Sequence, residues 1–406
     1  MQQRQKIPTV VLFQYRMFHY RKELIALLRD KLAQAGVKLE LVYGQAYGQE
    51  LLKKDEATID WGHKVKNWYF PIKEKKDLCW QPLPKAVQSP DLVIFMQENR
   101  LLANYYWILQ SKLGRTRTAY WGHGRDFQSR APGGLRERWK QANIKSVDWF
   151  FAYTSITLDI LKETGFPDDR VTLLNNSIDT DGFRRDAESV PDEQLAALRA
   201  QFGIADGAPV GLFCGSIYPD KKPEFMVDVA DRIHQQYPDF HFLVIGDGQS
   251  APVMREAATT RPWLHCVGAK RGTEKAALFR LASFVINPGS VGLHVLDAFA
   301  LSLPMLTTST ALHGPEIAYL EHGKTGFVTE EDVATYAECA LSLIRDPAYA
   351  AVVRDNCHRA SLEYTVDRMA SRFAEGILRC LREVPKTRHA LSPALEHEQE
   401  QAPAAR

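Results

Sequence analysis

Apolar and polar positions alternate with two different periods along the chain. A short run of β-type residues, Thr9 to Phe13, is followed by an amphipathic stretch from Tyr20 to Ala35 and a second apolar run from Lys38 to Tyr43. Strand, helix and strand in that order predict a βαβ unit, the signature of a parallel sheet with helices on both faces. The rhythm lapses in a charged insertion from Gly44 to Pro90, then resumes with Asp91 to Met96, Thr118 to Trp121 and Trp149 to Tyr153. A second series follows Pro209, with strands expected at Val210 to Cys214, Phe240 to Ile245, Phe284 to Ile286 and Pro304 to Thr307. The stretch from Arg184 to Gly207 between them lacks strand character. The pattern predicts an α/β chain: a Rossmann-like domain over 1–190, a linker over 191–205, a second Rossmann-like domain over 206–360, a helix over 361–384 returning to the first domain, and a disordered tail over 385–406. Two such domains place a ligand cleft where the C-terminal ends of their strands meet.

Composition narrows the class. Of 406 residues, 45% are hydrophobic and 25% charged, which excludes a disordered or fibrous chain. Lys and Arg number 51 against 49 Asp and Glu, so the whole molecule has no net attraction to nucleic acid or membrane. That balance conceals a local excess: residues 100–145 hold ten Lys or Arg against two acids, a balance of +8, beside Tyr105, Tyr106 and Trp107. Basic side chains with amphipathic aromatics suit an anionic bilayer, at ~1 kcal/mol per charge. The plainer reading is a helix core with a solvated basic face. No RNA-binding motif accompanies the segment, so no nucleic-acid partner is expected. The cysteines are scattered without a CxxC pair, the apolar run Val10 to Phe13 is short for an export signal, and Ala298 to Pro315 is too broken to span a bilayer. These features predict a cytoplasmic protein, in peripheral contact with the inner face of the membrane.

Three segments carry candidate chemistry. Phe284-Val-Ile-Asn-Pro-Gly-Ser-Val-Gly-Leu293 ends a strand, turns and starts a helix, which aims free N–H groups and a positive dipole at the cleft. The alternative is a glycine turn used only for packing. Cys214-Gly-Ser-Ile-Tyr-Pro-Asp-Lys-Lys222 places Lys221 and Lys222 where a loop enters a helix, positions suited to a diphosphate or merely solvated. Gly246-Asp-Gly248 closes a third strand.

Together, in this order, the segments resemble family 4 of the retaining glycosyltransferases with the two-domain GT-B fold. The resemblance covers Gly215 through Gly326, with Lys221, Gly246 to Gly248, Gly268, Pro288 to Ala298, Pro315-Glu316, Gly323 and Gly326 in register. Upstream, Asn176 and Asp179 of Asn-Ser-Ile-Asp-Thr180 match the family's hinge segment. The resemblance makes the Asp179-Thr-Asp181 triplet part of that hinge, so no metal and no other cofactor is expected. It implies a nucleoside diphosphate sugar as donor, bound by Gly215, Ser216, Lys222, Gly246, Asp247, Gly268, Gly289, Ser290, Gly292, Leu293, His313 and Glu316, with Lys221 and Asp297 as catalytic groups. The family's paired glutamates fall on Gly289 and Asp297, so the first is absent and the second one methylene shorter. The arginine that accompanies the lysine is Ser216.

In the first domain, Tyr120-Trp-Gly-His-Gly-Arg-Asp126 ends a strand from which family members present a histidine to the donor sugar, which makes His123 the third catalytic candidate. Arg125 and Asp126 are then acceptor contacts. Arg16, His19 and Arg21 follow the first strand and suit an anionic acceptor such as a lipid diphosphate, or else pack and cap. The expected function is transfer of a sugar to a lipid-linked saccharide during bacterial surface polysaccharide synthesis, with retention implied by the resemblance. A nucleotide-sugar epimerase of the same fold and a non-catalytic nucleotide-sugar-binding homologue are the alternatives.

Overall fold

The computed structural model describes residues 7–386 apart from 54, 74, 75, 86, 88 and 126–134. Asp126 and all but the start of the expected tail therefore lie outside the described residues. The first domain holds β1 (Thr9–Gln14), β2 (Lys38–Tyr43), β3 (His63–Lys64), β4 (Trp68–Lys73), β5 (Lys76–Trp80), β6 (Leu92–Met96), β7 (Arg117–Gly122), β8 (Trp149–Ala152) and β9 (Val171–Leu173). Seven form a parallel sheet in the order β3-β2-β1-β6-β7-β8-β9, and β4 pairs with β5 as a separate antiparallel hairpin. Helices α1 (Lys22–Gln34), α2 (Leu102–Lys112), α3 (Leu135–Ile144) and α4 (Ser155–Thr164) connect the strands.

The second domain holds β10 (Val210–Cys214), β11 (His241–Ile245), β12 (Leu264–Gly268), β13 (Phe284–Ile286), β14 (Met305–Thr308) and β15 (Gly326–Thr329), a parallel sheet in the order β12-β11-β10-β13-β14-β15. Its helices are α5 (Thr180–Glu188), α6 (Asp192–Phe202), α7 (Pro223–Gln236), α8 (Ala251–Ala258), α9 (Gly272–Leu281), α10 (His294–Ala300), α11 (Val333–Arg345) and α12 (Pro347–Glu363), followed by α13 (Val366–Glu383). The expected linker holds α6, whose Leu195, Leu198 and Phe202 pack on the second domain's core, and Phe183 of α5 is buried in that same core.

Burial explains these elements. Strand β1 is almost entirely apolar because helices cover both faces of its sheet. Helix α1 turns Leu24, Ile25, Leu28 and Leu32 inward, at helical spacing. Helix α13 does the same with Met369, Phe373, Ile377 and Cys380, and these join the core that contains Val10, Leu12 and Leu24. The chain thus crosses back to its first domain.

In each sheet the strand order reverses once, between β1 and β6 and between β10 and β13. Loops on either side of such a switch point diverge and leave a crevice at the C-terminal ends of the strands. The crevice regions come together where Asn176 Nδ2 donates to Glu316 Oε1 at 2.9 Å, and where Tyr319 OH donates to the Asn176 carbonyl at 2.9 Å. The chain has the GT-B architecture.

Candidate functional site

The second-domain crevice is bounded by the loop after β10, residues 215–222, and by the turn after β13, residues 287–293. The turn is held by its neighbours. Thr307 Oγ1 donates to the Gly289 carbonyl at 3.1 Å and Thr308 Oγ1 to the Pro288 carbonyl at 2.6 Å. His313 clamps it from the side: Val291 N–H donates to Nδ1 at 3.2 Å, so Nε2 carries the proton it gives to the Thr308 carbonyl at 2.7 Å. Both ring nitrogens are thereby used, which makes His313 a positioning group for the turn.

Gly289 leaves no room for a side chain. A Cβ there would lie 2.2 Å from the Asp220 carbonyl oxygen and 2.5 Å from Lys221 Cα. The loop carrying Lys221 is seated directly on the turn, and a side chain at 289 would push it off. Seated this way, Lys221 donates from Nζ to the Ser290 carbonyl, and burial lowers its ammonium to about 8. Half-burial costs the cation hydration that the Asp220 charge offsets only in part, so the position favours a ligand that brings negative charge. Gly246 has a parallel reason: at φ 148° a Cβ would lie 1.8 Å from the Gly215 carbonyl oxygen, so the loops after β10 and β11 pack backbone to backbone.

Lys222 takes another course. With φ at 55° its side chain turns away and donates to Glu331 at 2.7 Å, Thr310 at 2.8 Å and Thr308 at 3.1 Å, which leaves it fixing β14 to β15 instead of facing the crevice. Asp247 is exposed and bonded to Gly248 N–H and Arg255, which lowers its carboxyl. Ser216 is exposed, Gly268 closes β12, and Leu293 packs on the core while Gly292 and Ser290 stay partly open. Glu316 is buried, and burial raises its carboxyl while Asn176 counteracts.

Asp297 forms an ion pair with Lys275 of α9 at 2.7 Å. Burial opposes the Lys275 charge, yet Asp297 outweighs it and holds the ammonium above its usual range. Between Lys221 and Lys275 stands His294, whose Nε2 is buried without a hydrogen-bond partner; burial first and the two lysines next push its imidazole well below the usual range. It is a neutral ring with an unused polar atom. The crevice thus gathers Lys221, Lys275 and neutral His294 around the 289–294 turn. Lys275 and His294 escaped the sequence reading because only the fold brings α9 beside α10.

Across the cleft, Gln97 fixes the loop after β7: its Oε1 accepts from Gly124 N–H at 2.9 Å and its Nε2 donates to the Gly124 carbonyl at 3.3 Å. His123 is thereby held with its ring 4.0 Å from that of Tyr153. Tyr153 OH accepts from Arg21 Nη2 at 2.6 Å, and the Arg21 guanidinium lies 4.2 Å from the Trp121 ring centroid. His123 and Arg21 are therefore brought together, through a tyrosine the sequence did not single out. Arg16 is instead committed to Asp55 at 2.5 Å and to Glu50 at 3.7 Å, an internal brace. His19 lies with Lys22, Gln45, Glu56, Thr58 and Lys64 around a cavity of about 500 Å³ at the ends of β2 and β3. Arg125 is exposed at the edge of the described chain. The DxD triplet serves local structure: Asp179 caps α5 through Gly182 N–H at 2.8 Å and Asp181 pairs with Arg184 at 2.8 Å.

The second domain, which carries this crevice, also resembles known proteins in sequence. Residues 208–346 match the family described as Glycosyl transferases group 1. The chain is 24% identical over 165 residues to the alpha-monoglucosyldiacylglycerol synthase of Acholeplasma laidlawii, covering 39% of this chain and 40% of that protein. It is 28% identical over 198 residues to the D-inositol 3-phosphate glycosyltransferase of Streptomyces avermitilis, 45% of this chain and 41% of the relative. The matches thus span about two-fifths of these relatives' length. Among solved structures, HepE of Anabaena in complex with UDP superimposes with a TM-score of 0.63 at 16% identity, over 91% of this chain and 99% of that one. At that identity the likeness concerns the fold.

Proposed function

We propose that the protein is a glycosyltransferase that moves a sugar from a nucleoside diphosphate, bound at the 289–294 turn, to an acceptor lying on the first domain. The observation that carries this reading is the pair of half-buried lysines, Lys221 and Lys275, near His294, whose buried Nε2 lacks a hydrogen-bond partner, at a topological switch point. Asp297 pairs with Lys275, and exposed Asp220 acts on Lys221 through space without a direct ion pair, so Lys221 is the ammonium left to meet a phosphate. The leaving diphosphate gains charge as the bond from the anomeric carbon to the phosphate oxygen breaks, and preorganised cations stabilise that state without reorganisation. The acceptor oxygen bonds to the same face of the anomeric carbon and its proton passes to the departing phosphate oxygen, which gives retention. In this reading the lysines do the charge stabilisation and no metal or other cofactor is required. Asp297 holds the ribose, His123 contacts the donor sugar, and Arg21, with the cavity around His19 and Lys22, receives the acceptor.

Relatives named for a glucosyldiacylglycerol and for inositol 3-phosphate support an acceptor that carries lipid or phosphate. A lipid-linked saccharide of a bacterial surface polysaccharide, met at the anionic inner face of the membrane, fits the basic first domain. Among the described residues no helix is long and apolar enough to cross a membrane.

A thermal-shift panel of UDP-, GDP-, ADP- and dTDP-sugars tests the donor assignment, because a ligand selective for the folded form raises apparent stability. One nucleotide class should raise the midpoint in the native protein and fail in Lys221→Ala. If no member of the panel moves the midpoint, the assignment is wrong.

A further inference from the structure

The β4–β5 hairpin joins neither parallel sheet, and its two faces differ in kind. The inner face is packed: Tyr69 and Cys79 meet Tyr15, Phe18 and Leu101, and Tyr69 OH donates to the Gln45 carbonyl at 2.6 Å. The outer face follows from the strand period of two and carries Trp68, Phe70 and Ile72, which are 57%, 46% and 58% exposed. Their cross-strand register places Trp80 opposite Trp68 and Leu78 opposite Phe70, which widens the same apolar face.

That face continues onto a helix. The Trp80 ring meets Tyr106 of α2 edge to face at 6.4 Å, and α2 with its C-cap Leu113 presents Tyr106, Leu109 and Leu113 along one stripe, 40%, 52% and 41% exposed. Single exposed apolar side chains are ordinary, but a contiguous strand-to-helix patch marks a contact surface or an aggregation hazard.

Charge selects the occupant. Residues 64–76 contain five lysines and one glutamate in sequence, and α2 ends beside exposed Lys112 and Arg115. Protein interfaces deplete lysine around their apolar centres, whereas tryptophan and aliphatic side chains bordered by lysine suit the boundary of an anionic bilayer. Of the aromatics that suggested a membrane surface in residues 100–145, Trp107 is buried and Tyr106 belongs to this patch, so the contact surface extends to the hairpin.

We propose that the outer face of the β4–β5 hairpin, continued by the Tyr106–Leu113 stripe of α2, inserts into the headgroup layer of an anionic bilayer and docks the first domain there. The inference deepens the membrane reading given above and rests on it. Its consequence is positional: Lys64 and Gln45 line the cavity at the ends of β2 and β3, and β4 begins at Trp68, so docking would bring that cavity to the lipid surface.

Flotation of the full chain tests this, with vesicles of phosphatidylcholine alone and of phosphatidylcholine mixed equally with phosphatidylglycerol. The native protein should float with the mixed vesicles, and the triple variant Trp68→Ser, Phe70→Ser, Ile72→Ser should bind them roughly tenfold or more weakly. Donor-nucleotide affinity, measured in the same samples, should be equal in both and certifies that the variant is folded. If the native protein floats and the folded triple variant floats equally well, the hairpin assignment is overturned while the membrane reading stands. If the native protein binds neither vesicle, both fall. If the native chain ignores vesicles and forms a dimer in light scattering that the variant abolishes, the face serves self-association and the proposal is wrong.

Discussion

At the residue scale the account turns on Lys221 and Gly289. Burial holds the Lys221 ammonium near 8, so the unliganded protein loses this charge as pH rises through that value, and a bound diphosphate pulls the proton back. Nucleoside diphosphate affinity should therefore fall as pH rises above about 8, with net proton uptake on binding in that range; calorimetry in buffers of different ionisation enthalpy reads both. Gly289→Glu, which introduces the carboxylate that the resemblance expects here, should not build a working site, because its Cβ would displace the Asp220–Lys221 backbone. It should weaken nucleotide binding at least tenfold and cost about 1–3 kcal/mol of stability, measured by denaturant titration. Some candidates were legible in the sequence. Lys221 and the 289–293 turn were marked by their place at strand ends, and Asp297 by the resemblance. Lys275, His294 and Tyr153 were not, because each sits in an ordinary helical or strand context and acquires meaning only from a residue far away in the chain. Lys222 misled for the same reason: adjacent to Lys221 in sequence, it is turned by a left-handed backbone toward Glu331.

At the scale of elements, the buried strands were readable because both their faces are covered and they appear as continuous apolar runs. Half-exposed short strands such as β9 and β3 were not, since neither is a fully buried apolar run like β13, which also has three residues and was readable. The segment 184–207 lacks strand character, and the apolar residues of α5 and α6 mark those helices as part of the second core. The hinge deserves its own test. Burial raises the Glu316 carboxyl, so the folded protein favours the protonated form; its stabilising effect is present at low pH and is lost as pH rises through the raised value. Glu316→Gln keeps a partner for Asn176 Nδ2 and should flatten that part of the pH–stability profile. Asn176→Ala leaves the carboxyl buried without its side-chain donor and should cost about 1–3 kcal/mol at neutral pH, read by thermal denaturation.

For the whole molecule, the return of α13 means that the first domain is not a contiguous stretch. Its core includes Phe373 and Ile377 together with Val10 and Leu12. A fragment ending at residue 190 should fail to fold cooperatively, while Phe373→Ala in the full chain should cost about 3–5 kcal/mol; calorimetric scanning distinguishes a lost transition from a shifted one. The near-zero net charge says little about partners, because it sums local imbalances such as the +8 of residues 100–145. The central claim is that a nucleoside diphosphate binds at the turn over which Lys221 is seated. Isothermal titration of the nucleotide selected by the donor panel into native protein and Lys221→Met tests it most directly. Lys221→Met should lose about 2–3 kcal/mol, roughly thirty- to 150-fold in affinity, while remaining folded. Equal affinity in the two proteins would contradict it.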